Sequence, residues 1–213
     1  MTRVLVLGFG NPGRRDDGLG PAIASAVAGL GLPDVTVDID FQLAVEHAAD
    51  LAEHDVAIFV DAALSGPEPF AFAAVEPSDD THFTTHYVEP GMVLGLAERI
   101  YGAQPAGYLL AVRGYEYDEF GEVISDRAMA NLEAALAFLG SVLAHPDRLA
   151  SAAAWAASQA YAADFDLTAR ACGVVAFHPE LETVGSATAA TDAQAASPVS
   201  AAAVPSVEVP HSA

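Results

Sequence analysis

The sequence predicts an α/β protein of three layers, a mainly parallel twisted sheet with helices on both faces, followed by an Ala-rich C-terminal extension and a disordered tail. Three observations predict it. Short apolar runs at 2–8, 35–41, 56–60 and 108–112 alternate with stretches of helical periodicity, the pattern of repeated βα units. The run Val56-Ala57-Ile58-Phe59-Val60 is continuously apolar, as a central strand covered on both faces requires. A glycine-rich turn from Gly8 to Gly20 joins the first apolar run to an amphipathic one. Turns at the carboxyl ends of strands are where open α/β sheets place their ligands.

Each element has its own local reason. Residues 2–8 form a buried strand by composition. Pro21 suits a first helical turn, and Ile23, Val27 and Leu30 recur at helical spacing before Gly29, Gly31 and Pro33 end the helix. Residues 35–41 alternate like a strand, with Asp38 and Asp40 on one face. A helix is expected over 44–53. The apolar run 56–60 ends at Asp61. Ser65-Gly66-Pro67-Glu68-Pro69 is a turn, and 70–75 a further strand at an edge. Residues 77–89 form a polar loop holding His82 and His86. Pro90 opens a helix with Val93, Leu96 and Ile100 on one face. After the strand at 108–112 comes an acidic, aromatic loop, Tyr115-Glu116-Tyr117-Asp118-Glu119-Phe120. Ser125 is the expected N-cap of a last core helix with Met129, Leu132, Leu136 and Leu139 on one face.

The expected organisation is therefore a domain over 1–145, an Ala-rich extension over 146–182 and a disordered tail over 183–213. The extension is read as a loosely attached helix. After Leu181 there is no Leu, Ile, Phe, Tyr or Trp, and such a segment buries too little apolar area to offset its chain entropy.

Composition narrows the function. The 213 residues are 53% hydrophobic, enough for a sizeable core. Twenty-nine acidic residues against 8 basic ones give a formal charge of -21, which argues against nucleic acid and anionic membrane surfaces as partners. One cysteine, Cys172, permits neither a disulfide framework nor a thiolate metal cluster within one chain, consistent with the cytoplasmic location we expect. The apolar start is short and ends in glycines, so it reads as a strand rather than a signal peptide. We expect a monomer.

Gly8, Gly10 and Gly13 satisfy the dinucleotide fingerprint G-x-G-x-x-G, with Asp38 or Asp40 placed to hold a ribose. Three features oppose that reading. Pro12 removes an N–H from the loop. The helix starts after Gly18, away from the glycines. Asp16 and Asp17 stand where a pyrophosphate would be repelled. A turn carrying carboxylates suits a cation better.

If the sheet is parallel, Asp17 after the first strand and Asp61 at the end of the third face the same edge, and the loop with His86 can fold over it. Two carboxylates and an imidazole form an ordinary set of ligands for a borderline divalent metal. Each has a plainer alternative. Asp17 could cap the following helix. Asp16 is better read as a turn former accepting backbone N–H groups. An exposed loop histidine needs no function, and His82 rivals His86. Asp61 follows five apolar residues, so it should be partly buried, which is costly without a partner. Nucleophilic catalysis is poorly supported: Cys172 lies outside the core and no G-x-S-x-G elbow is present.

The combination resembles the hydrogenase maturation endopeptidases, which process the large-subunit precursor of nickel–iron hydrogenases. The matching pieces are Gly8-Phe9-Gly10-Asn11 with Asp16-Asp17-Gly18-Leu19-Gly20, then Val60-Asp61-Ala62, then Thr85-His86 ahead of Pro90 and its helix. The similarity covers about residues 1–145. It implies that the family's metal-contacting positions fall on Asp17, Asp61 and His86, the first being Glu or Asp in the family and Asp here. It implies that nickel arrives in the precursor, near a C-terminal Cys-x-x-Cys-x-x-His/Arg-type end, and that a C-terminal peptide is then removed. The metal would position the precursor tail and polarise a carbonyl or a water. Asp17 and Asp61 are the candidate catalytic carboxylates. Two other classes remain to be weighed: a dinucleotide-binding oxidoreductase, and a non-catalytic binder of a metallated partner.

Overall fold

The structure is a computed structural model that describes residues 1–78 and 88–164. Five strands form one sheet in the order β2-β1-β3-β5-β4: β1 (Val4–Phe9), β2 (Val35–Asp40), β3 (Val56–Ala63), β4 (Phe70–Val75) and β5 (Ala106–Arg113). β2, β1, β3 and β5 are parallel neighbours. β4 runs antiparallel to β5 at the edge. The expected α/β architecture, mainly parallel, is what the chain adopts.

Alternation along the strands divides the core in two, because successive side chains leave a strand on opposite faces. Val4, Val6, Val56, Ile58, Val60, Leu110 and Val112 point to one face. There they meet α1 (Leu19–Gly29) and α4 (Asp126–Leu143) through Ile23, Val27, Phe138 and Leu139. Leu5, Leu7, Ala57 and Phe59 point to the other face. They pack with Leu51 of α2 (His47–Ala52) and with Val93 and Leu94 of α3 (Pro90–Leu96). By the same alternation Asp61 belongs to the face of Phe59, that of α2 and α3.

Some expected helix faces shift. Ile100 is 63% exposed and Met129 39% exposed, so neither joins the core. α3 continues into a π-helical turn over Ala97–Tyr101. That wider turn rotates Ile100 off the face shared by Val93 and Leu94. In α4 the buried stripe is Ala128, Asn131, Leu132, Ala135, Phe138, Leu139 and Val142, and Met129 lies beside it. Leu30 follows the last turn of α1 and is 57% exposed.

The start of the Ala-rich extension is not loosely attached. α5 (Leu149–Asp164) follows α4 after a short 3-10 turn. Leu149, Ala152 and Ala153 are buried in the same cluster as Phe72 and Phe138. Burial of Leu149 alone contributes about 2 kcal/mol. Alanines on the packed face allow the close approach. Among the described residues no single helix is long and apolar enough to cross a membrane. The loop bearing His82 and His86, the segment with Cys172 and the expected tail at 183–213 lie outside the described residues.

Candidate active site

β1 and β3 run side by side in register, Gly8 opposite Val60. The turn after β1 and Asp61 in β3 therefore share the carboxyl edge of the sheet. Gly20, in the first turn of α1, sets how closely they meet. A Cβ there would strike the carbonyl oxygen of Phe9 and stand 2.6 Å from that of Val60. Only a glycine lets α1 begin against both strand ends. Gly10 has φ of 139°, and a Cβ on it would strike the carbonyl of Asp17, so the turn can fold back on itself only with glycine at this position.

The folded turn occupies its own N–H groups. Asp17 Oδ2 accepts from the Asn11 N–H at 3.1 Å, and Asn11 Oδ1 from the Gly13 N–H at 2.9 Å. The Gly10 N–H donates to Asp40 O, and the Arg14 N–H to Asn11 O. A phosphate would find these donors taken and a carboxylate among them. The dinucleotide reading loses its cradle.

Asp16 and Asp17 have opposite roles. Asp16 is fully buried. Its carboxylate accepts from the N–H groups of Tyr115, Glu116 and Ser125 and from the Ser125 hydroxyl, all within 2.9 Å. Burial pushes its pKa up, but these donors prevail and hold it below the usual carboxylate value. Asp16 thus ties the turn to the loop after β5 and to the N-cap of α4, where Ser125 Oγ accepts from the Ala128 N–H. The same two loops are joined by the Arg15 N–H donating to Gly121 O at 2.7 Å and the Gly121 N–H to Gly13 O at 2.9 Å. Arg15 also pairs with Glu116 and Glu119.

Asp17 is partly exposed and does not cap α1. Asp61 is half-buried, and its Oδ1 accepts from the Ala62 N–H at 2.7 Å. Burial pushes the Asp61 pKa up to about 6; the Ala62 N–H opposes the rise, and the negative charge of Asp17 adds to it. The two predicted carboxylates therefore feel each other's charge, and none of the described ion pairs joins either to a cation. Such a pair is repulsive by itself and favours a divalent ion between its members.

His86 and its rival His82 fall on 79–87, outside the described residues. The described residues on either side of it are tied together by the Ser78 N–H donating to Gly91 O at 2.8 Å. Among the described residues no group of three or more His, Cys, Asp or Glu is arranged to hold a metal ion.

One site neighbour escaped the sequence reading. The Tyr117 hydroxyl is buried without a hydrogen-bond partner among the described residues. Burial raises its pKa to about 12, Asp16, Asp17 and Asp61 adding to the rise and Arg113 opposing it. The signal available was position: Tyr117 follows β5, whose carboxyl end lies beside that of β3.

No family model matches the sequence, and no curated protein matches it. Solved structures do. A hydrogenase 2 maturation peptidase from a Thaumarchaeota archaeon is 26% identical at a TM-score of 0.50, covering 67% of this chain and 98% of that one. An endopeptidase from Escherichia coli is 26% identical at 0.50, covering 66% and 91%. In fold the chain is similar to the hydrogenase maturation proteases. A NiFe hydrogenase maturation protease from Thermococcus kodakarensis has the same fold at 22% identity and a TM-score of 0.54, covering 68% of this chain and 94% of that one. These similar proteins are named peptidases and proteases, which are hydrolases.

Proposed function

We propose that this chain removes a C-terminal peptide from a nickel-loaded hydrogenase large-subunit precursor, reading the substrate's nickel through Asp17, Asp61 and His86. The observation that supports the reading is that Asp17 and Asp61 lie at the carboxyl ends of adjacent strands, where the charge of Asp17 acts on Asp61 and no described ion pair joins either to a cation. Nickel here is cargo of the substrate. Its arrival would relieve both the repulsion between the carboxylates and the cost of a buried charge at Asp61. Asp61 lies on the sheet face covered by α3, and His86 stands only four residues before that helix in the sequence. This supports an imidazole as third ligand.

Binding through the metal would hold the precursor tail against these carboxylates, and a metal ion there polarises a carbonyl or water. Asp17 or Asp61 would take the proton of the attacking water. The test is incubation of the full chain with nickel-loaded precursor, read by mass. Loss of a C-terminal peptide supports the proposal, and Asp61→Asn or Asp17→Asn should abolish it while leaving the fold intact. Processing by Asp61→Asn at the normal rate removes the assignment. A stable complex without a mass change would make the chain a binder of the metallated partner instead.

A further inference from the structure

Two phenylalanines beside the β1 turn stay in solvent. Phe41, just past β2, is 67% exposed, and Phe120, in the loop after β5, is 91% exposed. Both stand on backbone fastened to the turn that carries Asp17. The Phe41 N–H donates to Asp40 Oδ1 at 2.6 Å, and Asp40 O accepts from the Gly10 N–H at 3.2 Å. Phe120 precedes Gly121, which bonds to Gly13 and Arg15 of the turn, and follows Glu119, which pairs with Arg15. One phenylalanine thus adjoins the turn where it leaves β1, the other where it reaches the loop after β5. Leu64, three residues beyond Asp61, is exposed at the same edge of the sheet. Apolar side chains gathered at one place on a surface mark where another molecule sits. The charges there are one-sided. Asp118 and Glu122 lie on either side of Phe120 in the chain, are exposed and join no described ion pair. Of the turn's own cations, Arg15 is held by Glu116 and Glu119, and Arg14 donates to Tyr117 O.

We propose that Phe41 and Phe120 form a docking surface for the precursor's C-terminal segment, receiving apolar side chains that flank the scissile peptide while Asp118 and Glu122 face its basic side chains. This rests on the peptidase reading proposed above and adds the chemistry of the segment the site takes, apolar and net basic. Three observations point to that occupant. The surface is continuous with the turn that bears Asp17. Its unpaired charge is negative, so an acidic segment is repelled and a basic one is steered in. Both phenylalanines stand on hydrogen-bonded backbone, so little ordering entropy is lost when a chain packs on them.

The test measures KM and kcat of the full chain on nickel-loaded precursor. Phe41→Ser and Phe120→Ser should each raise KM about tenfold and change kcat less than about twofold, as removal of uniform binding does. Tm should hold, since neither ring is buried, and Phe120→Leu should recover most of the lost affinity. Ile100→Ser, at an exposed position in the π turn that ends α3, should leave KM as it is. Asp118→Asn with Glu122→Gln should raise KM about threefold at about 50 mM salt and leave it unchanged at about 500 mM, where the charges are screened. An unchanged KM at low salt overturns the basic character of the occupant. A KM within about twofold of wild type when Phe41→Ser and Phe120→Ser are combined overturns the docking surface and leaves the peptidase reading standing. So does an equal rise in Ile100→Ser, or a rise matched by a lower folded fraction. If the wild type cleaves nothing, the peptidase reading fails, and calorimetry with the same precursor decides the surface. A complex weakened about tenfold by Phe41→Ser or Phe120→Ser supports it; no complex, or one indifferent to both, overturns it.

Discussion

Asp17 acts on Asp61 across the ends of two adjacent strands, and its charge helps hold the Asp61 pKa near 6. Burial is the larger cause. At neutral pH Asp61 is mostly ionised, and a modest fall in pH neutralises it. If Asp61 must be ionised to meet the substrate's metal or to accept a proton, kcat/KM should fall about tenfold per pH unit on the acid side of about pH 6. A pH profile of precursor processing checks this. A flat profile down to pH 5 would remove Asp61 from the ionised role.

The same shift has a consequence for stability. The folded chain holds a proton on Asp61 more tightly than the unfolded chain, whose carboxyl has its ordinary value of 3.8. Below 3.8 both states are protonated and the favourable contribution is fully present. It is lost as pH rises through about 6, where the buried charge appears. Asp61→Asn should therefore stabilise the fold at pH 7 by roughly 2 kcal/mol and do little near pH 3.5. Urea unfolding at the two pH values measures the difference.

Asp16 behaves in the opposite sense. Its folded pKa is depressed, so its contribution is present above the ordinary carboxylate value and lost as pH falls through the folded one. Asp16→Ala would strand the buried N–H groups of Tyr115, Glu116 and Ser125. We expect a loss of roughly 3 kcal/mol or more, seen as a lower urea midpoint at pH 7.

Gly20→Ala places a methyl against the carbonyls of Phe9 and Val60. Backbone on both sides leaves little room to yield. About 3 kcal/mol of stability should be lost, and Asp17, three residues upstream, should be displaced from Asp61. Circular-dichroism melts and the processing assay would show both losses together.

Much of this was readable before any coordinates. The unbroken apolar run ending at Asp61 fixes both a central strand and a costly carboxylate, and the crowded glycines around Asp16 and Asp17 mark a turn with little freedom. What escaped depends on contacts at a distance. The extra residue in the π turn that moves Ile100 outward leaves no local signature. An alanine stripe in α5 has no strong apolar face to announce what it packs against. The place of Tyr117 follows from strand order, since β5 lies beside β3, and neither Tyr117 nor its neighbours reveal that alone.

The backbone clasp between the β1 turn and the loop after β5, made through Gly13, Arg15 and Gly121, joins segments about a hundred residues apart in the chain. Amide protons in the two segments should exchange with solvent as a single unit. A chimera made with a protein of the same fold would then have to swap both segments at once, because either transplanted alone would arrive without its mate.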